Sequence, residues 1–116
     1  MKSSMDFWQR LDELNAANQL IIDRPKGSTH PRYQDIIYPL DYGYLKGTAG
    51  GDGNEIDVWQ GTLPDKRLVT VICTVDSMKQ DTEIKLLIAC TDDEINTVNR
   101  FHNENSMSGM IVRRDI

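Results

Sequence analysis

The sequence predicts a small α+β domain, mainly β, with one helix ahead of the strands and a second behind most of them. Three observations carry that expectation. Several short segments alternate apolar and polar residues or run rich in Val, Ile and Thr, as half-buried strands do. Turn-type sequence joins these segments. Only two stretches follow helical spacing. Short strands in hairpin-like succession suit a small antiparallel barrel or sheet and not a βαβ array. The 116 residues fit one domain, residues 1–116, and a domain of that size buries roughly 65% of its unfolded surface.

The first helix is expected over residues 5–17. Ser3 or Ser4 would cap it, Asp6 suits its first turn, and Phe7, Leu11, Leu14 and Asn18 follow helical spacing with Trp8 beside them. Leu20, Ile21 and Ile22 form a short strand. Residues 24–54 then read as loop and short strand, with Pro25, Gly27 and Pro31 early and Gly43, Gly47, Gly50, Gly51 and Gly53 late. A globular domain seldom spends so much chain on irregular structure without a use for it. Residues 55–61 alternate, placing Glu55, Asp57 and Trp59 on one face. A turn over 63–66 leads to the strongest strand, 68–75. A polar connection over 76–82 precedes a strand over 83–90, with Ile84, Leu86 and Ile88 on its buried face. Thr91-Asp92-Asp93-Glu94 matches a capping box and opens a helix to about Glu104, striped by Ile95, Val98 and Phe101. Residues 106–109 break the chain, and Met110, Ile111 and Val112 give the last strand.

Composition narrows the function. The net charge is −5, from 18 acidic against 13 basic side chains, and the isoelectric point is near 4.9. That balance argues against general nucleic-acid binding, which needs a basic face. No apolar run approaches the roughly 20 residues of a membrane helix, and the N-terminus has no signal-peptide core. Cys73 and Cys90 form neither a disulfide framework nor a C-x-x-C pair. A cytoplasmic protein is the expectation. The acids divide into 13 Asp and 5 Glu. Asp suits turns and caps, and it also suits hard-metal sites when several converge.

Three features cluster in the middle of the chain. Arg24, Lys26, His30 and Arg32 form a basic loop. All four tyrosines, Tyr33, Tyr38, Tyr42 and Tyr44, follow closely. Asp52-Gly53-Asn54-Glu55-Ile56-Asp57 then places three carboxylates and an amide in a hexapeptide entered through two glycines. Asp52 on a glycine turn and Asp57 on the next strand would direct oxygens at one hard cation such as Mg²⁺. Arg, Lys and Tyr nearby would hold phosphate oxygens. The bland alternatives stay open: a solvated acidic turn, half-buried tyrosines, and a surface charge run. Asp81, Glu83 and Lys85 share one face of a strand start, either as a cross-strand ion pair or as the opposite wall of the acidic site. Other templates fail. Asp57 and Leu63 stand where an EF-hand loop needs Gly and Glu, and there is no Walker-type loop or His-Glu-x-x-His. His30 and His102 lack a zinc set and read as surface or packing residues, and the two cysteines read as buried thiols.

Tyr38-Pro39-Leu40-Asp41-Tyr42-Gly43-Tyr44, followed by Asp52-Gly53-Asn54-Glu55-Ile56-Asp57-Val58, resembles the central signature of family I soluble inorganic pyrophosphatases, and most nearly a short, divergent bacterial branch. Ile22-Asp23-Arg24-Pro25 resembles the family's strand bearing a Glu before a Pro. Asp81-x-Glu83-x-Lys85 resembles its Asp-x-Lys strand. The resemblance covers residues 20–90. It implies an OB-like five-stranded antiparallel barrel with flanking N-terminal and C-terminal helices, and Mg²⁺-dependent hydrolysis of pyrophosphate to two phosphates, with Mn²⁺ as a substitute.

By position, the resemblance makes Asp52, Asp57, Asp81 and Glu83 metal ligands, with Asp76 as an alternative to Asp81. Tyr42 and Lys85 would contact phosphate and serve in catalysis, Arg32 would stand where a phosphate-binding Lys sits, and Lys26 or Arg24 would bind substrate in place of the family's missing contacts. Asp23 would stand where a metal-facing Glu sits. The signature's middle carboxylate, assigned as the base, is Asn54 here, and an amide cannot take that proton. Either the adjacent Glu55 supplies a carboxylate, or water held between two cations ionises without one. The family's Arg-bearing segment before the Tyr-Pro motif and its C-terminal Tyr-Lys pair are missing. Two further readings therefore stand beside the hydrolase: an enzyme acting on another phosphoanhydride, and a non-catalytic phosphate- or metal-binding module. The family also commonly assembles, so a homo-oligomer is expected, with Phe7 and Trp8 as candidate contacts.

Overall fold

The computed structural model describes residues 5–104 and 106–115. In order, its elements are α1 (Phe7–Ala17), β1 (Leu20–Arg24), β2 (Asp41–Leu45), β3 (Ile56–Gln60), β4 (Leu68–Asp76), β5 (Asp81–Ile88), α2 (Asp92–Phe101) and β6 (Met107–Arg113). The expected mainly-β architecture with two helices is present. The five-stranded antiparallel barrel is not. Six strands form an open mixed sheet in the order β1-β2-β3-β5-β4-β6. The sheet is mixed because β4 forms a hairpin with β5, and β5 then lies parallel to β3 through Val58↔Leu86, Trp59↔Leu87 and Gln60↔Ile88.

Local chemistry accounts for most boundaries. Asp6 caps α1, accepting from Gln9 N at 2.8 Å while the Gln9 side chain accepts from Asp6 N at 2.9 Å. Ser3 and Ser4, the expected caps, lie outside the described residues. Thr91 and Glu94 form the expected capping box on α2. The connection expected over 76–82 is shorter, because β4 runs to Asp76 and β5 starts at Asp81. Asp76 makes this possible. Its Oδ1 accepts from Met78 N at 3.0 Å, Lys79 N at 3.1 Å and Ser106 Oγ at 3.2 Å, closing the hairpin tip. The break expected over 106–109 is mostly strand, since β6 pairs with β4 from Met107 onward.

Both sheet faces are packed. On one face Leu11 and Leu14 of α1 cover Leu45, Val58, Val71, Leu86 and Ile88. On the other, Ile95 and Val98 of α2 and Tyr38 and Leu40 of the long loop cover Trp59, Ile72 and Leu87. Ile84 was expected in the first core with Leu86 and Ile88, but it is 42% exposed. It heads a cross-strand row with Cys73 and Met110, and Met110 is exposed too, so burial on that face fades towards the β4–β5 tip. No helix is long and apolar enough to cross a membrane among the described residues.

Candidate functional site

The second face carries the chemistry. Asp57 and Trp59 of β3, Tyr42 of β2, and Asp81, Glu83, Lys85 and Leu87 of β5 share its parity. Beyond the aromatic core the pattern changes from apolar to charged. Lys85 is only 4% exposed. Its Nζ donates to Asp57 Oδ2 at 2.8 Å, to the Tyr42 hydroxyl at 2.9 Å and to Glu83 Oε2 at 3.4 Å. All three ammonium donors therefore have partners, as a buried charge requires. Burial pulls the Lys85 pKa down, but the Tyr42 oxygen and the Asp57 and Glu83 carboxylates outweigh it, and the net shift is upward. Burial pushes the Tyr42 phenol up despite the nearby ammonium. The pair is ammonium and neutral phenol.

The acidic turn is brought to β5 by Gly51. A Cβ there would lie 2.6 Å from the Thr82 carbonyl oxygen, so only glycine lets the two backbones meet. Gly53, at φ +84°, turns the chain back. Asn54 fixes Asp52: its backbone N donates to Asp52 Oδ1 at 3.0 Å and its Nδ2 to Oδ2 at 3.4 Å. Burial acts to raise the Asp52 pKa, but these bonds outweigh it and the net shift is downward. Asp52, Asp81 and Glu83 each place one carboxylate oxygen within 4.8 Å of the others. Burial raises the Glu83 pKa; Lys85 opposes this, while Asp57 and Asp52 add to it. Hard oxygen donors of this kind fit a divalent cation such as Mg²⁺.

Among the expected ligands, Asp52, Asp81 and Glu83 thus come together. Asp57 is tied to Lys85 beside them. Asp76 is committed to the hairpin tip, where its three donors, led by Lys79 N, hold its pKa down. Glu55 accepts from Gly47 N at 2.8 Å and braces the preceding turn. Asp23 was expected to face the metal. A bulge between Ile22 and Arg24 leaves Asp23 exposed and places Arg24 in register with Tyr42. Arg24 Nη1 donates to the Tyr38 hydroxyl.

The basic loop folds over the same aromatic ground. The Arg24 guanidinium lies 5.4 Å from the Tyr38 ring centre. The His30 ring stacks on Tyr38 at 6.3 Å with an interplanar angle of 10°. His30 Nδ1 accepts from Arg32 N at 3.0 Å and Tyr33 N at 3.2 Å, which leaves Nε2 as the proton-bearing nitrogen. Burial first, and then the charges of Arg24, Lys79 and Arg32, hold the His30 pKa below its usual value. Lys26 contributes its backbone N to Asp41 Oδ1 at 2.8 Å, and its side chain is exposed. Sequence reasoning missed Lys79, which sits at the hairpin tip closed by Asp76 and whose charge adds to burial in holding the His30 pKa down. It also missed the Trp59–His102 pair in the core, where indole Nε1 donates to His102 Nε2 at 2.9 Å. Burial, with Lys85 adding to it, lowers the His102 pKa to about 3.

No family model matches the sequence, and no curated protein matches it. Among solved structures, the chain is similar to an inorganic phosphatase from Anaplasma phagocytophilum. The match has 16% identity, covers 81% of each chain and has a TM-score of 0.56. At that identity the likeness shows a shared fold.

Proposed function

We propose that the chain is a Mg²⁺-dependent hydrolase that splits pyrophosphate into two phosphates. The observation that carries this reading is the meeting of Asp52, Asp81 and Glu83, from two separate sequence segments, beside a buried Lys85–Asp57–Tyr42 network. The neighbour of the same fold is an inorganic phosphatase, and the Tyr38–Tyr44 and Asp52–Val58 segments resemble the pyrophosphatase signature. Asp52, Asp81 and Glu83 would hold the cation, with Mn²⁺ as a substitute. Bound there, a divalent cation screens substrate charge and acidifies water. Lys85 fixes Asp57 in place through its ammonium. Tyr42, neutral, offers a hydroxyl that orients the ammonium. Arg32 and Lys26 border the substrate side. A cytoplasmic, homo-oligomeric enzyme completes the reading.

Asn54 favours one other reading, a phosphate- or metal-binding module without turnover. Its amide is spent on orienting Asp52 and cannot accept a proton. Phosphate release from pyrophosphate with Mg²⁺ and with Mn²⁺ separates the two. The hydrolase gives turnover that falls at least about 100-fold in Asp57→Asn, of the size expected when one catalytic electrostatic contact is removed. Folded protein that binds Mn²⁺ and shows no turnover with either metal is the module.

A further inference from the structure

The face under α1 loses its cover before the strands end. Val112, Val71 and Leu86 form a cross-strand row that packs in the first core. The next row is Met110, Cys73 and Ile84, directly opposite one another on β6, β4 and β5. Cys73 still touches the core, but Ile84 is 42% and Met110 63% exposed. The row after that is Ser108, Val75 and Thr82, and Val75 is 55% exposed. Side chains two apart on a strand share a face, so the two rows form one surface on neighbouring strands. None of their side chains carries a charge. Single exposed aliphatics are ordinary, but a contiguous set marks an interaction site. We infer that a second copy of the chain packs on this face, two-fold related, through Val75, Ile84 and Met110.

Charge selects the occupant. Each copy carries a net charge of −5, so two copies repel broadly and meet most favourably where neither presents a charge. A two-fold axis lays a patch on itself, and an uncharged apolar patch is its own complement. The competing route is the sheet edge, since β6 ends the strand order and its outer side is a template for another strand. Asn103 occupies that side. Its Oδ1 accepts from Gly109 N at 3.0 Å and its Nδ2 donates to Gly109 O at 3.2 Å, as the peptide of a neighbouring strand would. Nδ2 also donates to Asn99 O at 2.7 Å, which ties the amide to α2. The contact is therefore face on face and not edge to edge. A standard interface buries roughly 800 Å² per partner. A patch led by three aliphatic side chains is smaller, so the dimer is weak, with a Kd on the order of 100 µM. At a few micromolar, where unfolding is read, the chain is a monomer and the face stays exposed. The inference deepens the homo-oligomer of the proposed function, and it places the contact away from Phe7 and Trp8.

Sedimentation velocity of the full chain from about 5 to about 500 µM reads the assembly, a range that brackets this Kd. Methionine-methyl NMR over the same range locates it. Sedimentation should move from monomer towards dimer. The Met110 methyl should shift with concentration, and that of Met5, close to Phe7 in sequence, should stay. Met110→Glu replaces an exposed side chain and leaves the fold intact. It should weaken association at least about tenfold, because the dimer would bury two unpaired charges. Ile84→Glu is the second variant and should do the same. Phe7→Glu should change association less than about twofold, as a site outside the contact. Four results overturn the inference: a monomer at every concentration, unchanged association in Met110→Glu and Ile84→Glu, an equal loss in Phe7→Glu, or a shift at Met5 with none at Met110. A monomer that binds phosphatidylcholine vesicles also overturns it and gives the face to a lipid surface. Turnover is not read, so a dimer without pyrophosphate hydrolysis removes the hydrolase and leaves the interface. Hydrolysis by a chain that is monomeric throughout does the reverse.

Discussion

Under α1 the sheet packs Leu45, Val58, Leu86 and Ile88 against Leu11, and that face simply thins into exposed Ile84 and Met110 towards the β4–β5 tip. Under α2 the same strands pack Trp59, Leu87 and Ile72, then continue into Lys85, Asp57 and Glu83. The aliphatic face needs only volume and loses burial gradually. The polar face needs its buried charges matched, because a buried unpaired charge costs more than a lost contact. The second face is accordingly held by named atoms at hydrogen-bond distance, and those constraints make it suited to chemistry.

Breaking each face should expose this difference. Leu86, 0% exposed, leaves a cavity when cut to alanine, and Leu86→Ala should cost about 3 kcal/mol in urea unfolding, with little dependence on pH. The aromatic face should respond to pH. His102 holds its pKa near 3 while folded, and an unfolded histidine titrates near 6.5. Below about pH 6.5 the unfolded chain therefore binds a proton that the folded one refuses, and stability falls as pH falls. The loss should reach about 2 kcal/mol by pH 5. Replacing the imidazole in His102→Gln should remove that slope, as read from unfolding midpoints across pH 5–8.

A smaller acid effect belongs to Asp76. Its pKa is depressed in the folded state by its three donors, so its contribution is present above the unfolded pKa and is lost as pH falls through the folded one. Asp76→Asn should be less stable than the parent by about 1 kcal/mol at pH 7, and the gap should close in strong acid. At the exposed end of the aliphatic face, Ile84→Ser should shift stability by less than about 0.5 kcal/mol. A larger loss there would mean that this face is buried in a way the isolated chain does not show.

The sequence was most legible where local rules decide. The Thr91–Glu94 capping box, the apolar stripe of α2 and the β4 strand all stand in the structure. The alternation at Asp81, Glu83 and Lys85 correctly put all three on one face. It could not show that this face is the enclosed one, because burial depends on which helix or loop covers it. Asp23 and Arg24 show the same limit. A one-residue bulge exchanges the sides of two neighbours, and no spacing rule announces it. The open six-stranded sheet was also out of reach, since the parallel β3·β5 pairing depends on how β4 crosses over. The acidic hexapeptide split for a similar reason. Asp52 joined β5 through the Gly51 contact, while Asp57 was claimed by Lys85.

Under the proposed function, Asp52, Asp81 and Glu83 hold one divalent cation. A crystal structure of the chain grown with Mn²⁺ and phosphate tests it most directly. An anomalous Mn²⁺ peak should appear, bonded to oxygens of all three carboxylates, with Lys85 still on Asp57. Well-ordered density for these three side chains with no Mn²⁺ between them would contradict it.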